Sequence, residues 1–184
     1  MARIYMVRHG KAAAGFGEDM DPGLDATGKA QAEAVAQKLA PLGPLAILSS
    51  PLKRAQETAA PLAALWKKTP TILHPVAEIP SPRGMSLDGR VVWLRRVMGG
   101  AWAEVAPDLI QWRDACVGCV AKLPEDTVVF SHYVAINVLY GAATGDDRVT
   151  AFSPDNCSVT VFDNTGGKLT LVEKGNEASL TKVN

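Results

Sequence analysis

Ile4-Tyr5-Met6-Val7-Arg8-His9-Gly10 is the stretch on which the fold turns. Residues 4–7 are a short apolar run of the kind that forms a strand buried on both faces. Behind them Lys11-Ala12-Ala13-Ala14-Gly15-Phe16-Gly17 reads as loop. A cation and an imidazole therefore stand at the C-terminal end of a strand, the edge at which open α/β sheets bind their ligands.

Outward from that stretch the chain alternates strand and helix. The first strand covers residues 2–7, and a helix over 27–39 follows, with Val35, Leu39 and Leu42 on one face. A short strand at 46–48 follows, and Pro51 opens a second helix at the position where proline is tolerated. In it Leu52, Ala55, Ala59, Leu62 and Trp66 make the core stripe and Arg54 lies off it. A weak strand at 70–77, helices near 87–98 and 107–123, a strong strand at 127–130 and an apolar helix over 134–143 come next. Strands at 159–162 and 169–173 close the chain as a hairpin around Asn164-Thr165-Gly166-Gly167. The pattern predicts an α/β fold, a three-layer αβα sandwich with a mainly parallel central sheet. It is read as a single domain over 1–184. A loop or lid occupies about 79–105, where Pro80, Pro82, Gly84 and Gly89 break any regular period.

Composition narrows the classes of function. The 184 residues are 47% hydrophobic and 21% charged, the profile of an ordinary globular domain. Nineteen basic residues balance 19 acidic ones, so no net field recruits nucleic acid or an anionic membrane. The first apolar run falls short of the roughly 7–15 residues of a signal-peptide core. The stretch 128–143 is interrupted by Ser131, His132 and Asn137, short of the roughly 18 residues that a spanning helix needs. A cytoplasmic protein, monomer or homodimer, is expected. Three cysteines argue against a disulfide framework. Cys116 and Cys119 share a helical stripe with Leu109, Trp112 and Leu123, so they are read as core rather than as redox or zinc ligands. No metal and no cofactor is expected.

Four segments end a predicted strand or open the helix after it: Arg8-His9-Gly10, Ser49-Ser50-Pro51-Leu52-Lys53-Arg54-Ala55, Glu78 and Ser131-His132. In a parallel sheet these ends share one edge, which gathers two imidazoles, two guanidinium groups and a carboxylate. That set suits phosphoryl transfer without a metal. Planar bidentate donors hold the equatorial oxygens, an imidazole nitrogen attacks phosphorus, and a carboxylic acid protonates the leaving oxygen.

The segments together resemble the histidine phosphatase superfamily, the phosphoglycerate-mutase-like proteins. The likeness is carried by Val7-Arg8-His9-Gly10, Leu24-Asp25-x-x-Gly28-x-x-Gln31-Ala32, Ser49-Ser50-Pro51-Leu52-x-Arg54-Ala55-x-x-Thr58-Ala59, Glu78 and Ser131-His132. It implies His9 as the phosphorylated nucleophile, Arg8 and Arg54 as phosphate clamps, His132 as a second imidazole and Glu78 as proton donor, with Asp88 and Glu104 in reserve. Lys11 and Tyr133 are candidate substrate contacts, and the helix after His132 is expected to offer its N-terminal N–H groups to the phosphate. His74, Met85, Trp93 and Trp102 are read as surface, core or lid residues.

The chain also departs from the family pattern. Mutase-like members usually carry an asparagine several residues after the first motif, and none stands in residues 11–17. Lys11-Ala12 instead resembles the small phosphohistidine-phosphatase branch, whose substrate is a phosphorylated protein histidine. Glu78 and the greater length pull away from that branch, because a phosphohistidine has a good leaving group and needs less proton donation. After the hairpin, residues 175–184 are too few for the longer C-terminal segment that mutases use. The reading is a phosphatase acting on a small phosphomonoester, with a phosphohistidine phosphatase, a mutase-type phosphotransferase or a non-catalytic phosphate-binding module as alternatives. With His9 neutral, Glu78 protonated and His132 charged, its pH profile is expected to be bell-shaped, with a mildly acidic to neutral optimum.

Overall fold

The structure, a computed structural model, describes residues 1–15 and 18–179. Phe16 and Gly17 of the loop behind the first motif lie outside the described residues, as do residues 180–184 of the C-terminal segment.

Six strands form one sheet: β1 (Ala2–Arg8), β2 (Ala46–Ser49), β3 (Thr71–Ile72), β4 (Thr127–Ser131), β5 (Val159–Thr165) and β6 (Lys168–Glu173), in the spatial order β3-β2-β4-β1-β5-β6. The first four are parallel, and β5 and β6 complete the sheet as an antiparallel hairpin. Five helices cover it: α1 (Ala26–Leu39), α2 (Lys53–Trp66), α3 (Leu87–Met98), α4 (Pro107–Ala121) and α5 (Tyr133–Thr144). The two-residue period of a strand sends alternate side chains to opposite layers. Ile4, Met6 and Val129 join α4 and α5 in one core, while Val7, Val128 and Phe130 join α1 and α2 in the other. The three-layer arrangement expected from the alternation of elements is thus present.

Sheet order positions the site. The chain leaves β1 through α1 toward β2, and leaves β4 through α5 toward β5, on opposite faces. β1 and β4 are neighbours, with Arg8 opposite Ser131, so the connections diverge between them and open a crevice at their C-terminal ends. Ser49 pairs with Phe130 in the same register and brings the end of β2 level with that crevice.

Two local expectations are corrected. Pro51 does not open α2, which starts at Lys53 behind an extended Leu52 with φ −72° and ψ 143°. Ser50 Oγ accepts the Leu52 N–H at 3.2 Å and holds the chain in a turn there. The strand expected over 70–77 is only Thr71–Ile72, because the chain turns into a single 3-10 turn at His74–Val76. Pro75 has no N–H to give a ladder. In the 79–105 segment, α3 follows a stretch without regular structure, and Trp93 and Trp102 are buried in the core with Ile4 and Met6. Cys116 is buried in that core too, and Cys119 donates its thiol to the Cys116 carbonyl. Among the described residues no helix is long and apolar enough to cross a membrane.

Candidate active site

The loop behind β1 is held by main chain. Asp25 caps α1 by accepting the Gly28 N–H at 2.8 Å. Gln31 accepts the Lys11 N–H at 2.9 Å, and the Asp25 N–H reaches the Lys11 carbonyl at 3.1 Å. A Cβ on Gly10 would stand 2.6 Å from the Gly28 carbonyl oxygen, so this approach admits no side chain. Thr58 of α2 adds a third tether, accepting the Gly10 N–H at 3.0 Å and donating to the Arg54 carbonyl at 2.6 Å. The motif residues Asp25, Gly28, Gln31 and Thr58 thus set the position of His9 without touching its ring.

His9 is 7% exposed. Its Nδ1 lies 2.7 Å from the Gly10 carbonyl oxygen, which can only accept, so Nδ1 carries the proton. Nε2 accepts from Arg54 Nε at 3.2 Å. Both contacts assign the neutral Nδ1–H tautomer with its lone pair on Nε2. Burial, followed by the charges of Arg8 and Arg54, holds the His9 pKa well below the ordinary imidazole value. Asn156 secures the same residue from β5's side, donating to the His9 carbonyl at 3.1 Å.

Arg54, expected off the core stripe, is buried. Helical period assigns a face of α2, whereas this side chain enters the polar crevice that the strand ends enclose. Arg8 is also buried: its Nη1 donates to the Pro154 carbonyl at 3.0 Å, its guanidinium lies 5.1 Å from the Tyr133 ring centroid, and its Nε has no partner among the described residues. Burial lowers the pKa of both guanidinium groups. Buried Arg90 of α3, which the sequence did not single out, adds a further cation that acts on Arg54.

His132 is fully buried, with its ring centroid 5.2 Å from that of His9. Its Nε2 pairs with Ser50 Oγ at 2.7 Å, and its Nδ1 has no partner among the described residues. The expectation of a charged His132 is reversed. Burial first, then the charges of Arg54 and Arg8, push its pKa well below the ordinary value, so the ring is neutral in this site.

Glu78 accepts the N–H groups of Ile79, Val134 and Ala135 at 3.1 to 3.2 Å. The α5 N-terminus expected to face phosphate is therefore occupied by this carboxylate, which the positive end of the helix attracts. Burial raises the Glu78 pKa, against the backbone hydrogen bonds and Arg54, which hold it down. Asp88 and Glu104 are exposed on the surface. Lys11 is half exposed, with Nζ 3.7 Å from Asp25 Oδ2, and the Tyr133 hydroxyl pairs with Ser153 Oγ at 2.8 Å.

Arg8, His9, Arg54, Glu78 and His132, spread over 125 positions of sequence, thus converge in one crevice. Ser50 and Thr58 were quoted inside motifs without a role, and Asn156 had no local signal because its partner is 147 positions away. Among the described residues no three His, Cys, Asp or Glu side chains form a group that could hold a metal ion.

Residues 4–81 match the model of the histidine phosphatase superfamily (branch 1). Rv0525 of Mycobacterium tuberculosis, itself uncharacterized, is 37% identical over 159 residues, covering 78% of this chain and 79% of that one. Among solved structures, phosphoserine phosphatase from Entamoeba histolytica in complex with 3-phosphoglyceric acid aligns over 97% of this chain and 98% of its own. Its TM-score is 0.73 at 22% identity. The mycobacterial glucosyl-3-phosphoglycerate phosphatase Rv2419c aligns over 97% and 99%, with a TM-score of 0.72 at 23% identity. At these identities the two structures share the fold with this chain. Family model, relative and site geometry together place this chain in the histidine phosphatase superfamily, branch 1.

Proposed function

We propose that this protein is a metal-independent phosphatase that hydrolyses a small phosphomonoester through a phosphohistidine on His9. The observation that carries the reading is the His9 tautomer. With Nδ1–H given to the Gly10 carbonyl, the Nε2 lone pair faces Arg54 Nε, and the charges of two buried guanidinium groups, Arg8 and Arg54, act on the ring. Two buried polar atoms without partners among the described residues, Arg8 Nε and His132 Nδ1, add to it, because a phosphate brings acceptors for both.

In this mechanism the substrate's charged oxygens draw the Arg54 N–H away from Nε2, since a charge-assisted hydrogen bond is the stronger one. Nε2 then attacks phosphorus, the ester P–O bond breaks, and Glu78 gives its proton to the departing oxygen. The arriving dianion raises the Glu78 pKa further by like-charge repulsion, which keeps that proton available. In the second half the Glu78 carboxylate takes a proton from water, the hydroxide attacks phosphorus, and the N–P bond breaks to return the lone pair to His9. A retained acid favours an ester over a phosphohistidine substrate. Tyr133 serves as a platform for Arg8, and Lys11 steadies the loop through Asp25. Both solved structures named above are phosphatases, in keeping with the reading.

Brief reaction with a labelled phosphoester and alkaline quenching should leave acid-labile label on wild-type protein and none on His9→Ala. Turnover of p-nitrophenyl phosphate should survive chelator and vanish in His9→Ala. Normal turnover in that variant would overturn the mechanism.

A further inference from the structure

We propose that Ser50 is the positioning residue that sets the tautomer of His132, keeping the ring proton on Nδ1 so that an N–H is presented to the transferred phosphoryl group. The catalytic consequence rests on the phosphatase reading, and the geometry does not.

A serine hydroxyl has one proton to give and two lone pairs to offer. The Leu52 N–H occupies one lone pair of Ser50 Oγ at 3.2 Å, and His132 Nε2 stands 2.7 Å away. Among the described residues these are the hydroxyl's partners. If Nε2–H were the donor, the Ser50 proton would have no acceptor and Nδ1 would be a bare lone pair sealed in the interior. With Ser50 donating instead, every polar atom of the pair is satisfied except Nδ1–H. That atom is fully buried and has no partner among the described residues. A phosphate oxygen meets an N–H there and would repel a lone pair. The ring is neutral, so the choice lies between two tautomers. His9 and His132 then share one tautomer and use opposite ends of it. His9 exposes the lone pair that attacks, and His132 the N–H that stabilises charge.

Long-range ¹H–¹⁵N spectra of the unliganded protein near neutral pH read the tautomer directly, with the three histidines assigned through His9→Asn and His74→Asn. His132 of the wild type should be protonated on Nδ1. Ser50→Ala should move it to Nε2–H or to a mixture, and should lower kcat on the order of tenfold with little change in KM. Ser50→Thr, which keeps the hydroxyl, should restore both. An Nε2–H ring in the wild type, or an unchanged Nδ1–H ring in Ser50→Ala, would overturn the proposal. The spectrum needs no turnover. The expected tautomer in a protein that hydrolyses no phosphoester would overturn the phosphatase reading alone.

Discussion

Replacing Thr58 by valine keeps the shape of a fully buried side chain and removes one oxygen that two elements share. That oxygen accepts the Gly10 N–H at 3.0 Å and donates to the Arg54 carbonyl at 2.6 Å. The Arg54 carbonyl lies within α2 and keeps its place in the helical ladder, so losing a second donor there is inexpensive. The Gly10 N–H is buried and would have no substitute, and leaving such a donor unmet costs about 1–3 kcal/mol. A loss of about 2 kcal/mol corresponds, at roughly 2–4 °C per kcal/mol for a chain of this size, to a fall in Tm of about 4–8 °C. Urea unfolding should show a lower midpoint at constant m, and calorimetry the matching shift. The kcat should fall as well, because the carbonyl of Gly10 holds the His9 ring. Thr58→Ser keeps the hydroxyl and loses one buried methyl, about 0.8 kcal/mol, so it should unfold between the two and retain activity. A Thr58→Val protein within about 0.5 kcal/mol of wild type, a margin typical of inconsequential substitutions, would refute this account of how the loop is held.

Activity should depend on pH through His9 and Glu78. A His9 pKa well below the ordinary value keeps the nucleophile neutral well into the acid range, and activity falls only where the ring takes up a proton. Glu78, with its pKa raised, loses the catalytic proton as pH climbs, so the optimum should lie on the acid side of neutrality. Glu78→Gln should lower kcat on esters with poor leaving groups and flatten the alkaline limb, and an unchanged limb would assign that proton to another group. Tyr133→Phe should leave KM near wild type, since its hydroxyl serves Ser153. Tyr133→Leu removes the ring beneath Arg8 and should raise KM by about 2- to 30-fold, the equivalent of a cation–π contact of roughly 0.5–2 kcal/mol. Equal KM values in the two variants would count against that platform.

Local pattern was enough to read the elements that build the frame. Residues 4–7 and 127–130 are apolar runs too short for helices, and both form central strands. The candidate site was legible because its groups sit at strand ends, where β1 and β4 in parallel register bring His9 and His132 together. What the chain did not reveal depends on partners distant in sequence. Helical period puts Arg54 off the core stripe, and its burial comes from the crevice that the strand ends close around it. His132 looked like a cation until its burial and the charges of Arg54 and Arg8 could be set against it. The α5 N-terminus looked open to phosphate because nothing local announces that Glu78, 56 positions earlier than Val134, caps it.

The meeting of Gly10 with Gly28, backbone against backbone, divides the chain into a part that tolerates variation and a part that does not. A methyl on Gly10 has nowhere to go except into the Gly28 carbonyl, and relief of that clash would have to come from shifting α1 or the loop that carries His9. The closeness of the His9 loop to α1 is thus limited by main chain, whatever the side-chain tethers around it do. Variation is freer on surfaces that do not bear on that contact, such as α3, which mixes buried and exposed positions and whose Arg90 acts on Arg54.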